Sequence, residues 1–119
     1  MATYSKIVLS GSTDGRGILV DDDATAGKTI HTGSSTATTY DEVWIYAANY
    51  DSSDRKLTIE WGSASAGDII ESTIATESGL VLVIPGLILK GNASPLVVAA
   101  FAATTSSIQL FGYVNRITA

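Results

Sequence analysis

The chain has 119 residues, of which 45% are hydrophobic and 16% charged, and its formal net charge is −5. That supplies one hydrophobic core across residues 1–119 and leaves no length for a second. The acidic balance argues against a nucleic-acid partner, which needs clustered Lys and Arg; the absence of Cys excludes disulfides and thiolate sites, and a single His excludes a poly-His metal centre.

Along the chain, the first apolar run, Ile7 to Leu9, stops after three residues, too short for the apolar stretch of a signal peptide. The longest, Leu80 to Leu89, spans ten residues, is interrupted by Pro85-Gly86, and falls well short of the ~20 of a membrane helix. The expectation is a soluble chain made in a host cytoplasm, with no membrane partner. Short apolar runs alternate with Gly, Asp, Asn and Ser clusters, the all-β pattern. Strands are expected near 4–10, 16–21, 28–32, 41–50, 55–61, 68–74, 80–84, 96–103 and 106–117. This is an antiparallel β-sandwich, jelly-roll-like, of about 8–9 strands with under a tenth of its residues in helix. Residues 86–90 read either as a further strand or as a bend after Pro85.

Candidate chemistry falls away strand by strand. Asp21-Asp22-Asp23 lacks the spacing of a calcium loop and reads as a solvated turn. Gly27-Lys28-Thr29 looks like the end of a phosphate-binding loop, but Asp22 stands where the first glycine is required and a strand follows. His31 has no nucleophile elbow and no recognisable acidic partner nearby, and is expected on the surface or packed. Glu60 with Asp68 or Glu71 would need a deep cleft to act as a glycosidase pair. No catalytic residue, cofactor or metal site is expected.

Residues 41–50 and 55–61 read as the best hairpin, joined through Asp51-Ser52-Ser53-Asp54. Leu57, Ile59 and Trp61 share one face of the second strand, while Lys56, Thr58 and Glu60 share the wet one. The first strand is apolar on both faces, with Val43, Ile45 and Ala47 on one and Trp44, Tyr46, Ala48 and Tyr50 on the other. A four-residue loop would bury Trp44 and Tyr46, and a five-residue loop Val43 and Ile45. The second register is preferred because Trp and Tyr tolerate a partly wet surface better. The last strand repeats the pattern: Ile108, Leu110 and Val114 face one way, Phe111 and Tyr113 the other with Gln109 and Asn115. Leu80 to Ile84 reads as a segment covered on both sides. One small sandwich cannot cover all these faces, so a partner chain is expected at Trp44, Tyr46, Phe111 and Tyr113. A sugar-stacking platform of Trp44, Tyr46, Tyr50 and Trp61 is the competing use of the aromatics.

Asp41-Glu42-Val43-Trp44-Ile45-Tyr46-Ala47-Ala48-Asn49, followed after a short polar turn by Lys56-Leu57-Thr58-Ile59-Glu60-Trp61-Gly62, resembles a recurrent hairpin of small tailed-phage virion proteins. Leu82-Val83-Ile84-Pro85-Gly86 and Phe111-Gly112-Tyr113-Val114-Asn115-Arg116-Ile117 fit the same resemblance, which covers residue 28 to the end. It implies a head decoration or cement protein on the capsid surface. Such a protein is a homo-oligomer, commonly a trimer, that clamps the major capsid protein and has no catalytic residues. A tail or fibre component, or a small carbohydrate-binding module, are the alternatives.

Overall fold

The long strands of this chain each carry an apolar side, and the fold is the arrangement that brings those sides together. The computed structural model describes residues 2–119; among these there is no helix. Nine strands follow in order: β1 (Thr3–Val8), β2 (Ile18–Leu19), β3 (Lys28–Thr32), β4 (Thr39–Asn49), β5 (Arg55–Trp61), β6 (Ile69–Ile74), β7 (Val81–Lys90), β8 (Val97–Ala102) and β9 (Ile108–Thr118). They form two antiparallel sheets. Sheet A has the order β1-β9-β4-β7, with the short β2 also on β9; sheet B has the order β3-β8-β5-β6.

With β2 set aside, the eight remaining strands pair first with last, in a nest. β1 pairs β9, β3 pairs β8, β4 pairs β7 and β5 pairs β6. Contacts β4–β9 and β5–β8 then join the nested pairs into the two sheets. This is the jelly-roll wrapping expected of the sequence. Inner residues of sheet A (Val43, Ile45, Ala47, Ile84, Leu110, Val114) pack on inner residues of sheet B (Ile30, Leu57, Ile59, Ile74, Val98, Ala100, Ala102).

The wrapping corrects two readings of the sequence. Residues 41–50 and 55–61 are not a hairpin, because β4 lies in sheet A and β5 in sheet B. The polar link 50–54 is an arch from one sheet to the other, and Asn49 holds it: its side-chain N–H groups donate to the carbonyls of Ser53 and Ile74 at 2.9 and 2.8 Å. The face preference nevertheless holds, since Val43, Ile45 and Ala47 are fully buried beside Leu57 and Ile59. The hairpin is instead β5–β6, closed by residues 62–68.

Strand β7 is the second correction. Residues 86–90 neither bend away nor form a separate strand, because β7 runs unbroken to Lys90. Its register against β4 shifts between Val43 and Trp44, where Gly86, at φ +78°, is passed over as a bulge. Pro85 is tolerated because β7 pairs only with β4 and is an edge strand. Within the chain Leu80 to Ile84 is covered on one side only: Ile84 is buried, whereas Leu80 and Leu82 are exposed.

Candidate functional site

The outer face of sheet A is built by the residues of opposite parity to the core. On β4 these are Tyr40, Glu42, Trp44, Tyr46 and Ala48. Opposite them on β9 stand Ile117, Asn115, Tyr113, Phe111 and Gln109. Strand β1 adds Tyr4, Lys6 and Val8, and β7 adds Leu82, Pro85 and Ile88. The four residues expected at an interface therefore meet on one face as two adjacent cross-strand pairs, Trp44–Tyr113 and Tyr46–Phe111.

Their rings are held by close contacts. Trp44 and Tyr113 stack at 6.1 Å between centroids with planes 12° apart. Lys6 Nζ lies over the Tyr113 ring at 4.9 Å, a cation–π contact. On the β7 side a Cβ placed on Gly86 would come within 2.8 Å of the Trp44 indole, so the ring rests on bare backbone there. Phe111 uses Gly17 in the same way, again at 2.8 Å. Glu42 Oε1 accepts from Trp44 Nε1 at 2.7 Å and from Asn115 Nδ2 at 2.9 Å, and these donors hold its carboxyl below the usual range.

The order Lys6–Tyr113–Trp44–Gly86 thus crosses four strands. Trp44 and Tyr113 are thereby packed between Lys6 and Gly86. Tyr50 and Trp61 do not join them: Trp61 packs against the core from sheet B, and Tyr50 donates its hydroxyl to the Ser106 carbonyl at 2.6 Å. The four rings named for a platform therefore do not share one face, Trp61 lying in sheet B and Trp44 and Tyr46 on the outside of sheet A.

The sequence understated the extent of this face. Trp44, Tyr46, Phe111 and Tyr113 are half-buried, while Tyr4, Val8, Leu19, Leu82 and Ile88 around them are exposed, Tyr4 at 72%. A depression of ≈ 320 Å³ lies at one end, lined by Tyr4, Lys6, Glu42, Asn115 and Ile117 among others. Neither residues 4–8 nor residues 82–88 alternate cleanly, and only the pairing shows that these segments flank β9 and β4.

A second cluster lies between the sheets. His31 of β3 and Asp41 of β4 are buried, and Asp41 also faces Arg116 of β9. The Ser10 backbone N–H donates to His31 Nδ1 at 3.1 Å, so the ring proton is assigned to Nε2, which donates to Asp41 Oδ2 at 2.8 Å. Arg116 adds a two-pronged pair to Asp41, Nε to Oδ1 at 2.7 Å and the terminal nitrogen to Oδ2 at 2.8 Å. Burial pushes the Asp41 carboxyl up, but the bonds and charge of Arg116 and His31 outweigh it and hold the group below its usual value. His31 therefore has the acidic partner that the sequence did not reveal. Both ring nitrogens are engaged and 1% of the residue is exposed, so the pair ties sheet to sheet and has no free nitrogen for acid–base work.

Glu60 is the third feature. Although it belongs to the wet phase of β5, it is only 3% exposed. Oε1 accepts the Gly27 N–H at 2.8 Å, and Oε2 is buried without a partner. The carboxylates once paired with it in sequence are engaged elsewhere: Glu71 with Lys56 at 2.8 Å and Asp68 with the Ser63 hydroxyl at 2.6 Å. Asp21 pairs with Lys28, whose strand leaves no helix at Gly27-Lys28-Thr29. Among the described residues no group of three His or acidic side chains converges as a metal site.

No family model and no curated protein matches the chain. Among solved structures it is similar to the Clostridium thermocellum endo-1,4-beta-D-xylanase 10B, a structure of its CBM22-1–GH10 modules complexed with xylohexaose. The TM-score is 0.37 and the identity 9%, over 99% of this chain and 24% of that chain.

Proposed function

We propose that the protein is a non-catalytic assembly subunit of a phage virion. It would form a homo-oligomer, a trimer in the decoration-protein arrangement, and clamp the major capsid protein from the capsid surface. One observation carries the reading: the outer face of sheet A presents four half-buried aromatic rings, two of them stacked on each other, inside a rim of exposed apolar side chains. That is the anatomy of a protein interface, with pre-ordered aromatic anchors at the centre. Rings already stacked on Lys6, Gly86 and Gly17 have little rotamer freedom left to lose on docking. The jelly roll is used by viral shell subunits and also by lectins, so the fold alone selects neither. The virion resemblance of the sequence weighs for a shell role, with a tail or fibre position as the variant of the same reading and a small carbohydrate-binding module as the alternative.

Sedimentation velocity of the purified chain, alone and with assembled capsid shells, tests this. The chain is expected to self-associate and to co-sediment with shells. Trp44→Ala and Phe111→Ala are expected to abolish both while lowering monomer stability by only about 1–2 kcal/mol. Ile45→Ala, one residue along but on the core side, should instead cost about 2–5 kcal/mol in stability. A chain that remains monomeric at high concentration and stays in the supernatant with shells removes the proposal.

A further inference from the structure

The outer face of sheet B, opposite the aromatic face, holds a different kind of feature. A depression of ≈ 210 Å³ is lined by Ala26, Gly27, Glu60, Gly62, Ala64 and Ala99 together with neighbours on β3 and β8. Its lining is small and mostly apolar, with the hydroxyl side chains of Thr29 and Ser63 and one carboxylate as its polar groups. That carboxylate, Glu60, is 97% withdrawn from solvent by its 3% exposure, takes one hydrogen bond from Gly27, and keeps Oε2 without a partner. None of the ion pairs among the described residues involves it.

We propose that this depression is a binding site for an alkylammonium group, with Glu60 as its anionic anchor. A buried carboxylate with one hydrogen bond lacks both charge compensation and acceptor satisfaction. A neutral donor would supply only the second, whereas an ammonium supplies both through up to three N–H donors. The apolar methyls of Ala26, Ala64 and Ala99 suit the slim methylene stem behind such a head group, as lysine stems lie along apolar surface. The net charge of −5 favours the approach of cations over anions.

The wall that admits the ligand is the 22–27 connection. Residues 23–26 are exposed, and the backbone of the segment is tied to β8 through the Ala102 N–H donating to the Asp22 carbonyl at 3.1 Å. Gly27 is fixed: a Cβ there would lie 2.5 Å from the Ala100 carbonyl oxygen, so only glycine lets the backbone reach Glu60 while lying on β8.

The Gly27 amide, bonded to Glu60 Oε1, is the natural reporter. In ¹⁵N-labelled protein at fixed ionic strength, n-butylammonium chloride should shift that amide saturably. Tetramethylammonium chloride, which has the charge but no N–H donor, should not. Glu60→Gln keeps an oxygen for Gly27 and should weaken the response at least tenfold. Ala64→Leu, which leaves Glu60 in place and fills the depression, should do the same. Cadaverine and Nα-acetyl-lysine methylamide distinguish a free diamine from a lysine of a partner chain, the tighter binder identifying the source. No saturable shift, an equal response to tetramethylammonium, or an undiminished response in Glu60→Gln overturns the site. The site is independent of the aromatic face, so Trp44→Ala should leave the titration unchanged.

Discussion

Asp41 and Glu60 are both acids withdrawn from water on neighbouring strands of the chain, and the sandwich treats them in opposite ways. Asp41 lies between the sheets and its two oxygens receive three hydrogen bonds from two side chains, one of them a guanidinium. Glu60 lies on the outside of sheet B and receives one, from a backbone N–H. Depth does not separate them, since they are 0% and 3% exposed. What separates them is the supply of donors. Asp41 is met from β3 and β9, two strands whose positions the wrapping fixes, whereas Glu60 depends on one loop. A saturated buried acid ties elements together; an unsaturated one is held at a cost and is available for a partner.

The largest effect is expected at the saturated acid. Asp41→Asn presents an amide N–H₂ to groups that are themselves donors and leaves His31 or Arg116 without its acceptor. It should cost about 3–5 kcal/mol in urea unfolding. The same acid sets a pH signature. Its carboxyl is held below its ordinary value, so the unfolded chain binds the proton more readily than the folded one. The stabilisation is complete above the ordinary aspartate value of ~3.9 and is lost as pH falls through the folded value. The wild-type midpoint should drop below about pH 4 more steeply than that of Asp41→Asn; parallel profiles would show that Asp41 does not carry this loss. The smallest effect is expected at the unsaturated acid: Glu60→Gln removes an unpaired charge and keeps the Gly27 bond, so stability should change by less than about 1 kcal/mol. A loss as large as that of Asp41→Asn would erase the difference drawn between the two.

Strand positions were legible because alternation is a local property. All nine observed strands overlap expected ones, and each phase on β4 and β9 was assigned to the right side. Partnership was not legible. A polar stretch such as Asp51-Ser52-Ser53-Asp54 serves equally as a hairpin turn or as an arch, because alternation fixes which way a side chain points and not which sheet its strand joins. The acids show the same boundary. Asp41 shares the parity of Val43, Ile45 and Ala47, so its place in the core was written in the sequence and went unused. Its partners, 10 and 75 residues away, could not be seen without the wrapping. Glu60 shares the parity of Lys56 and Thr58 and reads as wet; it is buried by the approach of Gly27, thirty-three residues earlier, which no local pattern encodes.

The nesting of the strand pairs also bears on how the chain finds its fold. Joining Thr3 to Thr118 directly would close a loop of nearly the whole chain, an unfavourable first step. Nested pairs avoid it. β5 and β6 meet across residues 62–68 alone, and once they are joined β4 and β7 have only the links 50–54 and 75–80 left to order. Each further pair likewise closes against the one inside it, so the entropy of a long-range topology is met in short instalments, from the centre of the sequence outward. φ-values should accordingly be highest in β5 and β6 and lowest in β1. The reverse ranking would mean that the chain ends meet first. A topology with almost exclusively distant partners can therefore be assembled by steps that are each nearly local.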